Sequence, residues 1–128
     1  MAEHAPTVER YTQRQFLVVT HDGPGSVALR DEHLEGHLEH IERHLARYVV
    51  CGPMLKDGGP ALSGSYFVVF ADDEADARAL LDGDPYLRCG MYARVDINEV
   101  STAAGSALGG VIWESVEAVR AMQSAAGK

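Results

Sequence analysis

The order of strand-like and helix-like segments is the feature that most constrains the fold of this chain. Apolar runs rich in β-branched residues at positions 16–20, 48–51 and 63–71, and an alternating apolar and polar run at 91–99, predict four strands. Apolar residues at helical spacing predict a helix over residues 29–46. Acidic residues at 72–74 are typical of a helix start and predict a second helix that runs to about residue 81.

The order β-α-β-β-α-β is the ferredoxin-like arrangement, an α+β fold in which two helices cover one face of a four-stranded antiparallel sheet. The chain has 128 residues, enough for one core of ordinary size. No further segment before residue 100 is available to cover the other face of the sheet. We therefore expect a homodimer in which the open sheet faces pack together.

The chain ends lie outside this arrangement. Residues 1–14 are polar and predict a loose N-terminal arm, and residues 15–99 form the ferredoxin-like domain. Residues 100–128 predict a linker of small residues followed by an extra C-terminal helix, amphipathic over 111–123. We expect this helix to dock on the domain or on a partner subunit, because it is too short to be stable alone.

Charge and hydropathy exclude several classes of partner. The formal net charge is −8, which argues against nucleic-acid binding because phosphate recognition requires a basic surface. No apolar run is long enough to span a bilayer, and the N-terminus lacks the apolar core of a signal peptide. We therefore expect a cytoplasmic protein without a membrane partner, in which Cys51 and Cys89 are small buried side chains.

Four of the six histidines have helical spacing within the first predicted helix. They are His33, His37, His40 and His44, and they form one stripe. The residues that follow them form a second, apolar stripe, interpreted as the face toward the core: Leu34, Leu38, Ile41 and Leu45. The histidines then lie at the edge of the core, where they suit acid–base chemistry, a metal ion or a partly solvated surface.

Several short patterns occur in a fixed order between residues 15 and 99. They are the strand at 16–20, the segment HDGPGSVALR that ends at Arg30, His37-Leu38, Gly52-Pro53-Met54, Gly64, Asp84-Pro85-Tyr86 and Gly90. In order and spacing they resemble the YciI-like (YCII-related) family of small α+β proteins. The resemblance implies a ferredoxin-like fold, dimers of the dimeric α/β-barrel type, and an active site centred on a histidine and an aspartate. Muconolactone-isomerase-like enzymes share the architecture, so lyase or isomerase chemistry is implied.

The resemblance also selects site residues. His37 lies seven residues after Arg30 and fifteen before Gly52, which fits the family pattern best, while His33 is the rival one turn earlier. The family's aspartate maps to Asp84. We expect His37 and Asp84 to be catalytic, and four further residues to contact the substrate: Arg30, His33, Pro53 and Tyr86. Leu34 stands where family members often carry a second arginine.

A His37–Asp84 pair suits proton transfer. Imidazole both takes and gives a proton near neutral pH, and a carboxylate on one ring nitrogen fixes its tautomer. Arg30 could hold a carboxylate or enolate oxygen, and Tyr86 could supply a hydroxyl donor. Asp84 before a proline equally suits a helix cap. The hypothesis is a lyase or isomerase that uses no cofactor and acts on a small carbonyl or phenolic compound; the alternative is a non-catalytic dimeric ligand-binding or accessory protein.

A metal site is a weaker interpretation of the histidines. His33 and His37 have the i, i+4 spacing that lets two imidazoles bind one zinc ion from a single helix. The glutamate of HLEGH does not occupy the position that the HExxH motif requires, and the sequence indicates no third ligand. We therefore expect no metal.

Overall fold

The structure is a computed structural model and describes residues 4–126. The chain divides into two compact units, Gln13–Val100 and a second unit that combines Met1–Thr12 with Ser101–Lys128. Within the described residues, no helix is both long enough and apolar enough to cross a membrane.

The larger unit has the α+β, ferredoxin-like fold predicted from the sequence. Its elements are β1 (Gln15–Asp22), α1 (Ser26–Arg43), β2 (Tyr48–Leu55), β3 (Leu62–Phe70), α2 (Glu74–Asp82), α3 (Pro85–Arg88) and β4 (Tyr92–Val100). The strands form one antiparallel sheet in the order β2-β3-β1-β4, so the first and third strands occupy its centre. The prediction of this fold class is confirmed.

The second strand is longer than the sequence predicted. The prediction covered residues 48–51, but β2 continues through Gly52-Pro53 to Leu55, and Pro53 pairs with Ser65 of β3. Proline donates no backbone hydrogen bond and is tolerated in edge strands, and β2 is an edge strand of this sheet. Pro53 therefore lies opposite the middle of β3 instead of in a turn.

The core lies between one face of the sheet and α2. Alternate residues of the two central strands are buried there, because successive side chains of a strand point to opposite faces: Phe16, Val18, Phe67 and Val69. Ala77, Leu80 and Leu81 of α2 pack against them. The start of α2 is fixed by Asp73, whose side chain accepts a hydrogen bond from the Asp76 backbone N–H.

The orientation predicted for α1 is wrong. Leu34 and Leu38 are 44% and 48% exposed, and of the predicted apolar stripe only Ile41 packs against the core. His40, predicted to lie with the other histidines at the edge of the core, is instead buried. The cause is a close approach between α1 and α3 at Gly36, where an added Cβ would lie 2.9 Å from Cγ of Pro85. This contact turns the histidine-bearing side of α1 toward the turn between α2 and α3.

The smaller unit differs from the expected arm, linker and helix. It contains a short hairpin of β5 (Ala104–Gly105) and β6 (Gly110–Val111), followed by α4 (Val116–Ala126). The helix begins at Val116 and not at Val111, because Val111 is held in extended backbone by hydrogen bonds to Pro6 and Val8. These bonds also order part of the N-terminal segment that was expected to be loose.

Candidate active site

A cleft of about 890 Å³ lies between α1 and the β2–β3 side of the sheet. Its walls are mostly apolar. One wall comes from α1, and the other from β2, β3 and the loop between them: Val27, Leu34, Leu38 and Ile41 face Cys51, Pro53, Pro60, Ala61, Leu62 and Phe67. A few polar side chains interrupt these walls: Asp22, Arg30, His37, Ser65 and Tyr86 among them. An apolar cleft with a few polar groups is the usual form of a small-molecule site.

His37 and Asp84 form a direct hydrogen bond at this cleft. Nδ1 of His37 lies 2.7 Å from Oδ2 of Asp84, and the two side chains are 12% and 0% exposed. An ionised carboxylate can only accept, so Nδ1 of the neutral imidazole carries the proton and Nε2 keeps its lone pair. Nε2 makes no hydrogen bond within residues 4–126 and is not fully buried, so it is open to a ligand.

The Asp84 carboxylate is held by the start of α3. Its second oxygen, Oδ1, accepts a hydrogen bond of 2.9 Å from the backbone N–H of Tyr86, and Pro85 occupies the first helical position. This is the helix cap that the Asp-Pro sequence favours. Capping and pairing with His37 are therefore not alternatives, because each oxygen of Asp84 serves one of them.

Tyr86 fixes the plane of the His37 ring. The two rings are stacked, with centroids 3.7 Å apart and planes inclined by 7°. The Tyr86 hydroxyl donates to the backbone carbonyl of Arg30 at 3.1 Å, so its hydrogen is already engaged within the protein. Burial raises the pKa of Tyr86, which keeps the phenol neutral. Tyr86 thus lines the cleft as a stacking partner of His37 and not as a free hydroxyl donor.

Arg30 also lines the cleft, but its charge is paired. Its Nη2 donates to Oδ1 of Asp22 at 2.9 Å, and the two side chains are only 14% and 10% exposed. The same nitrogen donates to the backbone carbonyl of Gly64 at 3.0 Å. Asp22 offsets the guanidinium charge and also accepts from Nε, so among residues 4–126 only Nη1 of Arg30 makes no hydrogen bond and can donate to a ligand.

Ser65 and Asp22 line the cleft and are site residues that the sequence interpretation missed. Oγ of Ser65 faces the cleft and lies 3.0 Å from the Tyr92 hydroxyl. The backbone of Ser65 is fixed by Thr20, whose Oγ1 accepts from the Ser65 N–H and donates to its carbonyl. Ser65 shares the core face of β3 with Phe67 and Val69, and a polar residue in that alternating pattern was the available signal.

The remaining sequence candidates divide between the cleft and its surroundings. Pro53 lies on the cleft wall. His33 does not line the cleft; its ring is 31% exposed and lies 3.9 Å from Glu32. The structure therefore brings His37, Asp84, Arg30, Pro53 and Tyr86 to one side of α1 and leaves His33 apart.

His40 lies beneath this site, one turn after His37. It is 8% exposed, and burial lowers its pKa. Its ring packs edge-on against Tyr48, with centroids 6.2 Å apart. Nε2 of His40 and the Tyr48 hydroxyl are buried without a hydrogen-bond partner among the described residues.

No metal cluster accompanies the histidines. Within residues 4–126, no group of three or more His, Cys, Asp or Glu side chains is arranged to hold a metal ion. His33 and His37, the two histidines with i, i+4 spacing, have different neighbours: His37 binds Asp84, while His33 lies near Glu32.

Residues 15–101 match the family description "YCII-related domain". The fold is similar to that of a 5-chloro-2-hydroxyhydroquinone dehydrochlorinase from Burkholderia phenoliruptrix, solved in complex with 2,5-dihydroxybenzoquinone. The two chains are 25% identical, the match covers 72% of this chain and 96% of the other, and the TM-score is 0.62.

Two further solved structures are more distant. A Pseudomonas aeruginosa protein is 17% identical with a TM-score of 0.45, over 73% of this chain and 97% of the other. A Nitrosomonas europaea protein of unknown function is 20% identical with a TM-score of 0.43, over 73% of this chain and 91% of the other. No curated protein sequence gives a significant match to the chain.

Proposed function

This chain belongs to the YCII-related family, and we propose that it is a lyase or isomerase that acts on a small carbonyl or phenolic compound. The observation that carries the proposal is the His37–Asp84 hydrogen bond of 2.7 Å at the edge of an apolar cleft. A histidine oriented by a buried carboxylate, with its other nitrogen facing a ligand cavity, is equipped for general acid–base catalysis.

In the proposed reaction, Nε2 of His37 takes a proton from a carbon next to a carbonyl group, which a phenolic substrate has in its keto tautomer. The electron pair of the broken C–H bond forms a new double bond, and in an elimination a leaving group departs with its own bonding pair. Asp84 stabilises the imidazolium that results, because its carboxylate accepts from Nδ1. In an isomerisation the imidazolium returns the proton to a different atom of the same compound.

The substrate oxygen would be held by the polar groups beside His37. Ser65 presents its hydroxyl to the cleft, and Arg30 presents a guanidinium whose charge is offset by Asp22. Such a set suits a phenol, enol or carbonyl oxygen better than a strongly charged phosphate, because among residues 4–126 no unpaired cation lines the cleft. The dehydrochlorinase of similar fold acts on a chlorinated hydroxyhydroquinone, which supports the phenolic class and an elimination.

The test is turnover of a panel of chlorinated and unchlorinated hydroxyhydroquinones, hydroquinones and cyclic ketones. Chloride release and ultraviolet spectra are recorded for the wild type, His37→Gln and His33→Gln. We expect His37→Gln to lower kcat by about 10²–10⁴-fold, the usual contribution of a general acid–base group, while ligand binding is retained. His33→Gln should keep wild-type turnover, because His33 lies outside the cleft.

Two results would contradict this assignment. Equal loss of activity in both variants would mean that His33 and His37 contribute equally, which contradicts the assignment of His37 alone as the acid–base group. Binding of panel compounds by the wild type without any turnover would favour the alternative of a non-catalytic ligand-binding or accessory protein.

We also propose a homodimer formed through the open face of the sheet. The residues of β1 and β3 that point away from the helices are largely apolar and only partly buried in the single chain: Leu17, Val19, Tyr66, Val68 and Phe70. Covering such a face with a second copy would remove this apolar surface from water. Sedimentation equilibrium should give twice the chain mass for the wild type and the single mass for Val19→Asp; a monomeric wild type would contradict the proposal.

A further inference from the structure

The cleft is much larger than a single oxygenated ring requires. Its volume of about 890 Å³ lies near the upper end of the range of roughly 300–1,000 Å³ that accommodates drug-sized ligands. Ser26 and Asp31 line the cleft near the start of α1, and the other polar residues of its lining are grouped around His37: Asp22, Arg30, Ser65 and Tyr86. A compound with only one small ring would therefore leave most of the apolar wall in contact with water.

The part of the wall beyond His37 consists of leucine and isoleucine side chains on one helix face. We call Leu34, Leu38 and Ile41 the α1 wall. Leu34 lies three residues before His37 and Leu38 one residue after it, so the wall flanks the catalytic histidine along the helix. Leu34 and Leu38 are nearly half exposed, although two large apolar side chains side by side are normally covered.

The opposite side of the cleft is apolar as well. Pro53 of β2, Leu62 and Phe67 of β3 face the α1 wall across the cavity. A group that enters between these two sides is removed from water on both of its faces. Apolar groups gain most from such a position, while a charged or strongly polar group would lose its hydration without gaining partners.

Resting on the function proposed above, we infer that the natural substrate carries an apolar alkyl or aryl arm on its oxygenated ring, and that the α1 wall binds this arm. The ring lies against Ser65, Arg30 and His37, and the arm extends along Leu34 and Leu38. The substrate class is thus an arm-bearing phenol, quinone or cyclic ketone, and the unsubstituted ring is a poor ligand.

The test measures binding of a matched pair, hydroquinone and n-butylhydroquinone, by calorimetric titration without oxygen. The protein is full-length His37→Gln, so that no turnover disturbs the titration. Each buried methylene strengthens binding by about fourfold, because about 0.8 kcal/mol per group is released. Allowing for incomplete burial of four carbons, we expect n-butylhydroquinone to bind at least about tenfold more tightly than hydroquinone.

Two further proteins, each made in the His37→Gln background, test whether the α1 wall is the source of this preference. Leu34→Ser with Leu38→Ser should reduce the preference to about threefold or less, since two contacts of the arm are removed. Leu45→Ser is the matched control, because Leu45 is also an exposed leucine but does not line the cleft. It should keep the full preference. Circular dichroism and melting temperature confirm that all three proteins are folded.

The outcomes separate this inference from the proposed function. Equal affinity for the two compounds, or an undiminished preference in the double variant, would contradict the inference that the α1 wall binds an apolar arm, while leaving the proposed role of His37 intact. Loss of the alkyl preference in the double variant, while Leu45→Ser keeps it, supports the inferred arm; loss of turnover in His37→Gln alone supports the proposed function. Failure of both compounds to bind overturns the arm and the phenolic substrate class together.

Discussion

Asp84 both caps a helix and binds the proposed catalytic histidine, and two substitutions separate these roles. Oδ1 caps α3 through the Tyr86 N–H, while Oδ2 accepts from Nδ1 of His37. Asp84→Ala removes both hydrogen bonds. Asp84→Asn keeps the cap, because asparagine and aspartate are equally good capping residues. The amide nitrogen of Asn then faces Nδ1 of His37 and can only donate, so the imidazole must move its proton to Nε2.

The magnitudes follow from the same contacts. Loss of a capping side chain costs about 1 kcal/mol of unfolding free energy, and an unpaired, mostly buried His37 N–H costs about 1–3 kcal/mol more. Asp84→Ala should therefore destabilise the protein by about 2–4 kcal/mol, which lowers Tm by about 4–8 °C for each kcal/mol in a domain of this size. Asp84→Asn should cost no more than about 1 kcal/mol, the net value of one hydrogen bond.

Two measurements report the stability of the variants and the tautomer of His37, and neither requires the substrate to be known. Melting temperatures rank the variants, and long-range ¹H–¹⁵N NMR spectra at pH 8 identify which nitrogen of each neutral imidazole carries the proton. We expect Nδ1–H in the wild type and Nε2–H in Asp84→Asn for His37, with His33 unchanged as the internal control. If Asp84→Asn retains the Nδ1–H tautomer, or melts as early as Asp84→Ala, the assigned geometry is refuted.

Three further outcomes are expected. Burial lowers the pKa of His40 below its ordinary 6.5, so the unfolded chain binds a proton more readily and the free energy of unfolding should fall as pH drops below about 6.5. In denaturant titrations at pH 7.5 and 5.5, His40→Gln should show a smaller difference in unfolding free energy than the wild type. An equal difference in the two proteins would exclude His40 as its source. Gly64→Ala should prevent native folding, because a Cβ would overlap the Thr20 carbonyl oxygen across the β1–β3 pair; a soluble variant with wild-type Tm contradicts this. Burial raises the pKa of the Cys51 thiol, so alkylation of Cys51 in the wild-type protein at pH 8 should be slow compared with a free cysteine. Because Cys51 lines the cleft, bound n-butylhydroquinone should slow the alkylation further, as measured by peptide mass spectrometry. Fast labelling that the ligand does not alter would count against the described cleft.

The order of strands and helices was predictable because short local sequence patterns indicate each of them. Alternation in β4 and β-branched runs in β1 and β3 require only neighbouring residues to be recognised. The start of α4 was not predictable in this way. Its sequence continues an amphipathic pattern back to Val111, but long-range hydrogen bonds to Pro6 and Val8 hold Val111 in a strand.

The orientation of α1 shows a second limit. Apolar spacing identifies a face of the helix, but it does not say whether that face packs on the core or lines a cavity. Leu34 and Leu38 have the pattern of core residues and line a cleft, whereas His40 has the pattern of an edge residue and is buried. The deciding contact is between Gly36 and Pro85, which are 49 positions apart in the numbering and carry no local signal of their proximity.

The site was predictable only in part for the same reason. His37, Asp84 and Arg30 were selected by family resemblance, and the structure brings all three to one cleft or its edge. Asp22 and Ser65 were missed, because their roles depend on the pairing of β1 with β3 and on the direction of the Arg30 side chain. Strand register becomes visible only once the sheet is assembled.

The exposure of Leu34 and Leu38 has a consequence for how this protein can evolve. The side chains that stabilise the fold belong mainly to the sheet and α2, while these two leucines contribute little to the core. Substitutions at such positions usually change stability by no more than about 0.5 kcal/mol. If the α1 wall binds the substrate as we infer, the range of accepted compounds can drift through mutations on one side of a single helix, while His37 and Asp84 are inherited unchanged.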